Sequence, residues 1–399
     1  MKFVFHNIAE NEEESKIEST EESIDISSET LNSELFDLIK NKHMSIEELL
    51  IFATELDCSD LYVTEFKKPY ISRFGRIFQL PCSIVSKNDW FNFYTAYVSN
   101  QINAVYVHEK TFDLSVKVRI PDTSANYGKY DTNFYRYRLN IGFSQDAHTA
   151  SFRMIRPEKR TFDNINFDQQ CIDALERAYS KKTGICIETG PTGSGKSTTL
   201  AACINTFTQP GKVLDNKVII TLEDPIENVF DSLPNVLITQ KELAKDFVSF
   251  EAGIKSALRE HPNMIIVGEM RDKEVICTTV EAARTGHLVS TTFHASDVAG
   301  TISRVMYHLK NDINLAYDLI MQLNIVISQK MMKRDDRYEI DTQYLLFNKE
   351  ITEKLLEVLD KDSTRLSVEV KKLIQDPDLQ ARHLAKDWTY PEEDIEEDA

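Results

Sequence analysis

The 399-residue sequence lacks several features that would place it in particular classes of protein. It holds only 12 glycines and 11 prolines, too few for a collagen-like chain, and its hydrophobic content of 42% excludes a wholly disordered one. No uninterrupted apolar run approaches the roughly 18 residues that a membrane-spanning helix needs. The composition therefore predicts an ordinary soluble protein, and the length suits two domains.

Export signals and cysteine-based sites are also missing. Residues 1–11 contain one lysine and the short apolar patch Phe3-Val4-Phe5 ahead of acidic residues, so we expect no secretory signal peptide. The six cysteines form no CxxC pair, which argues against a zinc knuckle or a dithiol redox site. We therefore expect a cytoplasmic protein whose thiols are reduced.

The net charge of −18 is concentrated at the two ends of the chain. Residues 1–30 hold nine acidic residues and two lysines, and residues 391–399 hold six acidic residues and no base. We predict that both acidic tails are disordered, since blocks of like charge with few aromatics rarely pack. The body between them is weakly acidic, and because phosphate neutralisation needs clustered Lys and Arg, direct nucleic-acid binding is not expected.

Residues 31–156 have the pattern of an α+β domain. Ser45 and Glu48 form a capping box ahead of an apolar stripe at helical spacing, so a helix is predicted to begin at Ile46. Beyond residue 60, short alternating runs rich in Tyr and Phe predict meandering strands, with a second helix between them. The strands are expected at residues 61–63, 71–78, 104–107, 114–120 and 134–143, and the second helix at about 88–102.

Residues 157–166 are polar and predict a linker to a second domain over residues 167–390. There, short apolar runs alternate with helical segments, which is typical of parallel strands covered by helices and gives an α/β fold class. The strands are expected at residues 184–189, 218–222, 264–267 and 288–293. The domain is predicted to end in two helices, at 316–332 and 350–374.

A phosphate-binding motif follows the first of these strands. Residues 190–197 match GxxxxGK[ST] in full, between an apolar strand and a helical pattern, which is the context that the motif requires. Glycines let successive backbone N–H groups point at phosphates, and the helix presents its positive N-terminus. The predicted nucleotide-binding residues are Gly190, Pro191, Thr192, Gly193, Ser194, Gly195, Lys196, Ser197 and Thr198.

Within this loop the side chains have separate predicted tasks. Lys196 is expected to reach the β- and γ-phosphates, Ser197 to hold Mg²⁺ through its hydroxyl, and Thr198 to help bind phosphate. Glu188, in the preceding strand, stands where an apolar residue is expected. We predict that its side chain points out of the core, and we assign it no chemistry.

Two other apolar strands end in carboxylates, at the edge of an α/β sheet where sites form. Glu223 follows the strand at 218–222. Glu269 follows the strand at 264–267 after Gly268, which replaces the aspartate usual at this position of a Walker B motif. We predict that Glu269 contacts the metal-bound water or orients the attacking water, and that Glu223 helps to position it.

Two histidines flank the strand at residues 288–293. His294 at its end is predicted to sense the γ-phosphate, and His287 at its start to contact the nucleotide. In the first domain, Arg136 and Arg138 are two residues apart in a strand, so both project from one face, and Arg153 lies on the next segment. On periodicity alone this is a solvated basic face.

Four segments resemble, in order and spacing, the Walker A, Asp box, Walker B and His box of the secretion ATPase superfamily. They are GPTGSGKSTTLAA, TLEDPIE, ALREHPNMIIVGEMRD and TGHLVSTTFHA. This superfamily includes pilus retraction motors and the motors of type II and type IV secretion. The resemblance is strong over about residues 184–333. Over residues 46–157 it is weaker: IEELLIFATELDCSDLYV, YRYRLN and SFRMIRP resemble the PAS-like N-terminal domain of the same family.

The resemblance implies a P-loop ATPase that binds ATP and Mg²⁺, in which a PAS-like domain precedes a RecA-like domain and the chains form a hexameric ring. It implies that Arg136, Arg138 and Arg153 stabilise charge on the nucleotide, and it makes Gly268 normal for the family. Its expected partners are inner-membrane and cytoplasmic components of a secretion complex. Those partners would recruit the ring to the inner face of the membrane.

Several alternatives remain open. The four-cysteine zinc motif of many pilus-assembly ATPases is absent, and TQYLLFNKEITEKLLEVL has no counterpart of the AIRNLIRE motif of retraction motors. That stretch resembles the DotB and TraJ type of ATPase, which serves type IVB secretion and conjugation. A pilus retraction motor, a nucleotide-gated docking platform and a DNA-translocating motor are the alternatives. A GTPase and a transporter cassette are disfavoured, because their NKxD-like and LSGGQ-like motifs are missing.

Overall fold

The computed structural model describes residues 2–4, 21–23, 36, 39–98, 111–120, 134–155, 159–309, 312–334 and 337–376. The predicted strand at 104–107 and the acidic tail at 391–399 lie outside these residues, as does part of the predicted linker. The chain divides into two compact units. The first takes residues up to 158 together with residues 224–228 and 242–246, and the second takes the remainder.

The predicted disordered tail contains two short strands among its described residues. Strand β1 (Lys2–Val4) pairs antiparallel with β2 (Glu21–Ser23), and Phe3 lies opposite Glu22. The prediction of disorder therefore does not hold for these six residues, where pairing satisfies backbone hydrogen bonds that composition alone does not reveal.

The first unit packs helices on an antiparallel sheet. The elements are α1 (Ile46–Glu55), β3 (Asp60–Thr64), β4 (Tyr70–Arg73), β5 (Arg76–Gln79), α2 (Lys87–Tyr97), β6 (Phe112–Arg119), β7 (Phe134–Ser144) and β8 (Ala147–Ile155). Among the described residues of this unit, the six strands β3 to β8 are ordered β5-β4-β3-β8-β7-β6, and every neighbouring pair is antiparallel.

Local sequence signals explain why these helices begin where they do. Ser45 accepts a hydrogen bond from the backbone N–H of Glu48, whose carboxylate accepts from the backbone N–H of Ser45, so the predicted capping box is confirmed. Ser86 and Asp89 form a second capping box at the start of α2. The predicted second helix ends earlier than expected, at Tyr97, and residues 99–110 lie outside the described part.

Period-two burial fixes the two faces of the sheet. Tyr135, Tyr137 and Leu139 of β7 are buried against the helices, so the residues between them face the other side. Arg138 lies opposite Arg153 of β8 in the register. The prediction that the arginines of β7 share one face is confirmed, and Arg153 shares it.

The second unit has a mainly parallel sheet covered by helices. The elements are α3 (Gln169–Tyr179), β9 (Gly184–Thr189), α4 (Lys196–Phe207), β10 (Val218–Glu223), β11 (Leu237–Glu242), α5 (Phe250–Ala257), a 3₁₀ turn (Leu258–Glu260), β12 (Met264–Glu269), α6 (Lys273–Arg284), β13 (Leu288–Phe293), α7 (Val298–His308), α8 (Ile313–Gln322), β14 (Leu323–Arg334), β15 (Arg337–Leu346), α9 (Lys349–Asp362), a 3₁₀ turn (Ser363–Arg365) and α10 (Leu366–Gln375). The seven strands among its described residues are ordered β11-β10-β12-β13-β9-β14-β15. The pairs β10–β12, β12–β13, β13–β9 and β9–β14 are parallel, and β15 is antiparallel to β14.

The C-terminal part corrects two predictions. The predicted helix at 316–332 ends at Gln322, and β14 follows it beside β9. Ile325, Val326 and Ile327 are fully buried, and a short β-branched run of this kind suits a central strand but cannot be told from a helix by periodicity. The predicted helix at 350–374 is interrupted, because the Asp362 side chain accepts hydrogen bonds from Thr364 and stabilises a turn there.

Two segments of the second half, residues 224–228 and 242–246, belong to the first unit, and one buried carboxylate contacts both of them and β6. Glu242, which is 1% exposed, accepts hydrogen bonds from the backbone N–H of Ser115 at 2.8 Å and its hydroxyl at 2.6 Å. It also accepts from the N–H of Ile226 at 3.2 Å and pairs with Lys245 at 2.8 Å. The chain therefore passes between the two units more than once. The sequence analysis predicted a single passage, through the linker at residues 157–166.

Candidate nucleotide-binding site

The phosphate-binding motif forms a tight loop between β9 and α4. Gly190, Gly193 and Gly195 have φ angles of 156°, 77° and 91°, a region that side chains with a Cβ rarely adopt. A Cβ on Gly190 would lie 2.4 Å from the backbone oxygen of Gln329. Gly195 begins α4 without any side-chain cap, so the loop presents a helix N-terminus suited to an anion.

Lys196 lies against the backbone of the phosphate-binding loop. The residue is 8% exposed, and its ammonium donates to the backbone oxygens of Gly190 at 2.9 Å and Pro191 at 3.0 Å. Its Nζ is also 3.5 Å from Nδ1 of His294. The predicted lysine and the predicted histidine are therefore brought together at one end of the sheet.

Glu269 completes this group. One of its carboxylate oxygens, Oε1, lies 3.3 Å from Nε2 of His294, and the other accepts a hydrogen bond from Nε of Arg271 at 2.8 Å. The carboxylate is only 20% exposed. His294 thus lies between the ammonium of Lys196 and the carboxylate of Glu269, with one ring nitrogen towards each.

Glu223 and Gly268 lie on neighbouring strands beside this group. The Glu223 Oε1 accepts hydrogen bonds from the hydroxyl of Thr221 at 2.6 Å and the side-chain amide of Gln240 at 3.0 Å. A Cβ on Gly268 would approach the backbone oxygen of Leu222 to 3.1 Å and Cα of Glu223 to 3.4 Å. Glycine therefore replaces the usual aspartate where β10 and β12 come too close for a side chain.

Glu188 contradicts the prediction that its side chain leaves the core. It is fully buried, and its carboxyl accepts hydrogen bonds from the hydroxyls of Tyr179 at 2.9 Å and Ser290 at 3.1 Å. Burial raises its pKa to about 7, while the hydrogen bonds from Tyr179 and Ser290 lower it in part. The polar partners on α3 and β13 explain how a carboxyl is accommodated in this strand.

His287 is at the wrong end of its strand for the predicted nucleotide contact. Its backbone oxygen accepts from the N–H of Gly184, where β9 begins, whereas the phosphate-binding loop follows the other end of β9. Its ring Nδ1 lies 3.1 Å from the backbone oxygen of Ala282. Six strand residues, about 20 Å, separate it from His294, so it cannot contact a nucleotide held by the loop of the same chain.

The arginines of the first unit have acidic or polar neighbours there. Arg138 contacts Asp113 at 3.4 Å and Glu227 at 3.2 Å. Arg153 contacts Asp60 at 3.0 Å. The Nη2 of Arg136 lies 3.5 Å from the hydroxyl of Ser115. Side-chain exposures of 34% for Arg138 and 69% for Arg153 keep both guanidinium groups accessible.

Comparison with known proteins decides the family. The model of the family described as type II/IV secretion system protein matches residues 45–362. The chain belongs to this family. A relative, the type IV pilus retraction ATPase PilT of Pseudomonas aeruginosa, is 31% identical over 301 residues, which cover 73% of this chain and 79% of the relative.

Solved structures agree with this family assignment. The Legionella pneumophila ATPase DotB superimposes with a TM-score of 0.71 and 26% identity, over 86% of this chain and 93% of DotB. The pilus retraction motor PilT with bound ADP superimposes with a TM-score of 0.68 and 27% identity, over 86% of this chain and 94% of that chain. The expected fold, a RecA-like ATPase domain after an α+β N-terminal domain, is thereby confirmed.

One buried residue of this secretion-family site was missed by the sequence analysis. Gln329 of β14 is fully buried, and its side-chain amide donates to the backbone oxygen of Ser194 in the phosphate-binding loop at 2.8 Å. Because residues 316–332 were predicted to form a helix, Gln329 was not placed on a strand beside the loop. The run of β-branched residues just before it was the signal that could have placed it on a strand beside β9.

Proposed function

We propose that this chain binds and hydrolyses ATP and converts the hydrolysis into work for a secretion machine. The observation that carries the proposal is the alignment of Lys196, His294 and Glu269 beside the phosphate-binding loop, with contacts of 3.5 Å and 3.3 Å. A cation for phosphate, a histidine and an acid for water are the groups that phosphoryl transfer to water requires.

The side chains of the loop fit ATP with Mg²⁺. Ser197 is exposed at the first turn of α4, and its hydroxyl oxygen is a donor that Mg²⁺ accepts. The metal would neutralise charge that develops on the phosphates. Lys196 would turn its ammonium from the backbone oxygens of Gly190 and Pro191 to the phosphates, an exchange of one set of oxygen acceptors for another.

Glu269 and His294 divide the remaining work in this proposal. Glu269 orients the attacking water through its carboxylate, and His294, which contacts both Glu269 and Lys196, detects whether the γ-phosphate is present. Glu223 supports the same water from the neighbouring strand. Arg136, Arg138 and Arg153 remain the candidates for neutralising phosphate charge when chains assemble into a hexameric ring.

Among secretion machines we favour the type IVB class, with the ring recruited from the cytoplasm to inner-membrane components. Support comes from the C-terminal sequence and from the structural similarity to DotB. Pilus retraction is the second candidate, because the P. aeruginosa relative is named a retraction ATPase and PilT superimposes over the same share of the chain. Deleting the gene separates them, since loss of protein export supports the first and loss of pilus retraction the second.

Phosphate release from MgATP tests the enzymatic part. We expect steady turnover by the wild-type protein and a loss of at least about 100-fold in Lys196→Ala, since an ammonium that stabilises transferred charge contributes several kcal/mol. Lys255→Ala is the matched control, because Lys255 pairs with Glu251 on an exposed face of α5. Equal turnover in all three proteins would refute the proposal, and nucleotide binding without turnover would favour a docking platform.

A further inference from the structure

We infer that Gln329 is a positioning residue for nucleotide binding, which holds the phosphate-binding loop in its receptive shape from the neighbouring strand. This inference rests on the proposed function of that loop. Gln329 lies on β14, in a strand that pairs in parallel with β9. Its side-chain amide donates to the backbone oxygen of Ser194, at the centre of the loop, over 2.8 Å.

The loop packs on Gln329 at several points. A Cβ on Gly190 would lie 2.4 Å from the Gln329 backbone oxygen, and a Cβ on Gly195 would lie 3.1 Å from its side-chain nitrogen. Two glycines of the phosphate-binding motif are thus needed partly because β14 comes so close. The two contacts and the hydrogen bond to Ser194 span the loop from its first glycine to its last.

The bond from Gln329 differs in kind from those made by Lys196. The ammonium of Lys196 bonds to the oxygens of Gly190 and Pro191 within the loop, and it must leave them to reach a phosphate. The backbone oxygen of Ser194 faces β14, where it accepts the hydrogen bond from Gln329. A carbonyl oxygen and a phosphate are both acceptors, so a bound phosphate does not compete for this bond. The Gln329 bond can therefore persist through binding and keep the backbone N–H groups oriented.

The junction is not optimised for stability. Within the described residues, the buried side-chain oxygens of Gln329 and Ser194 both lack a hydrogen-bond partner. Unpaired buried polar atoms destabilise a fold and are typical of sites kept for another reason. An apolar residue at 329 would remove the unpaired amide oxygen but would also take the donor from the Ser194 backbone oxygen, so the amide is explained by what its nitrogen does for the loop.

Loss of the amide should weaken binding more than it slows the chemistry. In Gln329→Met, which retains the length of the side chain, the Ser194 oxygen loses its donor and the loop gains alternative conformations. Binding must then reorder the loop, and this loss of preorganisation raises Kd. We expect about a tenfold increase in the Kd for MgADP, the size of effect that one lost buried hydrogen bond produces.

Titration calorimetry with MgADP tests this expectation on the full chain. The matched control is Asn324→Leu, because Asn324 is also buried on β14 and its amide donates to the backbone oxygen of Thr183 at 2.8 Å, at the opposite end of the strand. We expect Asn324→Leu to lower the melting temperature without changing the Kd. In Gln329→Met, turnover at saturating ATP should stay within about threefold of wild type while KM rises.

A second variant distinguishes loss of the hydrogen bond from misfolding of the chain. Gln329→Glu restores a donor only when its carboxyl is protonated, so its Kd relative to wild type should fall as pH is lowered. The inference is overturned if Gln329→Met binds MgADP as tightly as wild type, or if Asn324→Leu weakens binding equally. If the wild-type protein itself does not bind MgADP, the proposed function fails instead.

Discussion

The carboxyl of Glu188 makes the stability of the second unit depend on pH. Its pKa is about 7 in the folded protein, whereas the ordinary value is 4.5. Between these values the folded state holds a proton that the unfolded chain has lost, so the contribution of Glu188 to stability is most favourable below about pH 4.5, falls until about pH 7 and then stays level. The cost at neutral pH is about 3 kcal/mol.

Replacing this carboxyl by an amide should remove the dependence. Glu188→Gln keeps the shape of the side chain and carries no charge at any pH. We predict that urea unfolding shows the variant more stable than wild type above pH 7, with the difference shrinking as pH falls towards 4.5. A difference in unfolding free energy that stays constant across this range would contradict the assignment.

His294 and His287 flank the same strand, and we expect their substitution to have different effects on ATP turnover. His294 contacts Lys196 and Glu269, whereas His287 contacts the backbone of Ala282. We predict that His294→Asn lowers ATP turnover by at least about tenfold, the contribution of one positioned polar group, and that His287→Asn stays within about twofold. Equal losses in the two variants would show that the strand, and not the position of His294, matters.

The elements of the second unit illustrate what the sequence could and could not predict. Strands β9, β12 and β13 were predicted because each is a short apolar run that ends in a chemically distinctive residue. Strand β14 was not, because its pattern resembles a buried helix and only its pairing with β9 reveals what it is. The group formed by Lys196, Glu269 and His294 could be predicted because parallel strands bring their carboxyl ends together.

Other features depend on tertiary contacts that no local pattern encodes. The burial of Glu188 follows from the hydroxyls of Tyr179 on α3 and Ser290 on β13, which are far from it in sequence. The distance of His287 from the phosphate-binding loop follows from strand direction, since the residue precedes β13 and the loop follows the parallel strand β9. In both cases the residue type was recognised but its neighbours were not.

The close approach of β10 and β12 at Gly268 gives a prediction for these strands as a pair. In Gly268→Ala the new methyl would meet the backbone of Leu222 and Glu223 at 3.1 Å and 3.4 Å. Backbone cannot move aside as a side chain can, so we expect a loss of about 1–3 kcal/mol in unfolding free energy. Displacement of Glu223 and Glu269 should also reduce turnover. Unchanged melting temperature and turnover would contradict this explanation of the glycine.

At the scale of the whole molecule, the described residues contain no helix long and apolar enough to cross a membrane. The two units differ in kind, one an antiparallel sheet with a basic face and the other a parallel sheet with the nucleotide loop. The resemblance to secretion ATPases assigns Arg138 to charge stabilisation in an assembled ring. That assignment stays a prediction, and it requires activity to depend on assembly.

The measurement that tests the proposed function most directly is ATP turnover per chain as a function of protein concentration, for wild type beside Glu269→Gln and Arg138→Ala. We predict that wild-type turnover rises with concentration as chains assemble, that Glu269→Gln loses turnover because water is no longer oriented, and that Arg138→Ala loses most of it. An absence of turnover at every concentration, or full turnover in Glu269→Gln, would contradict an assembled ATPase built on this site.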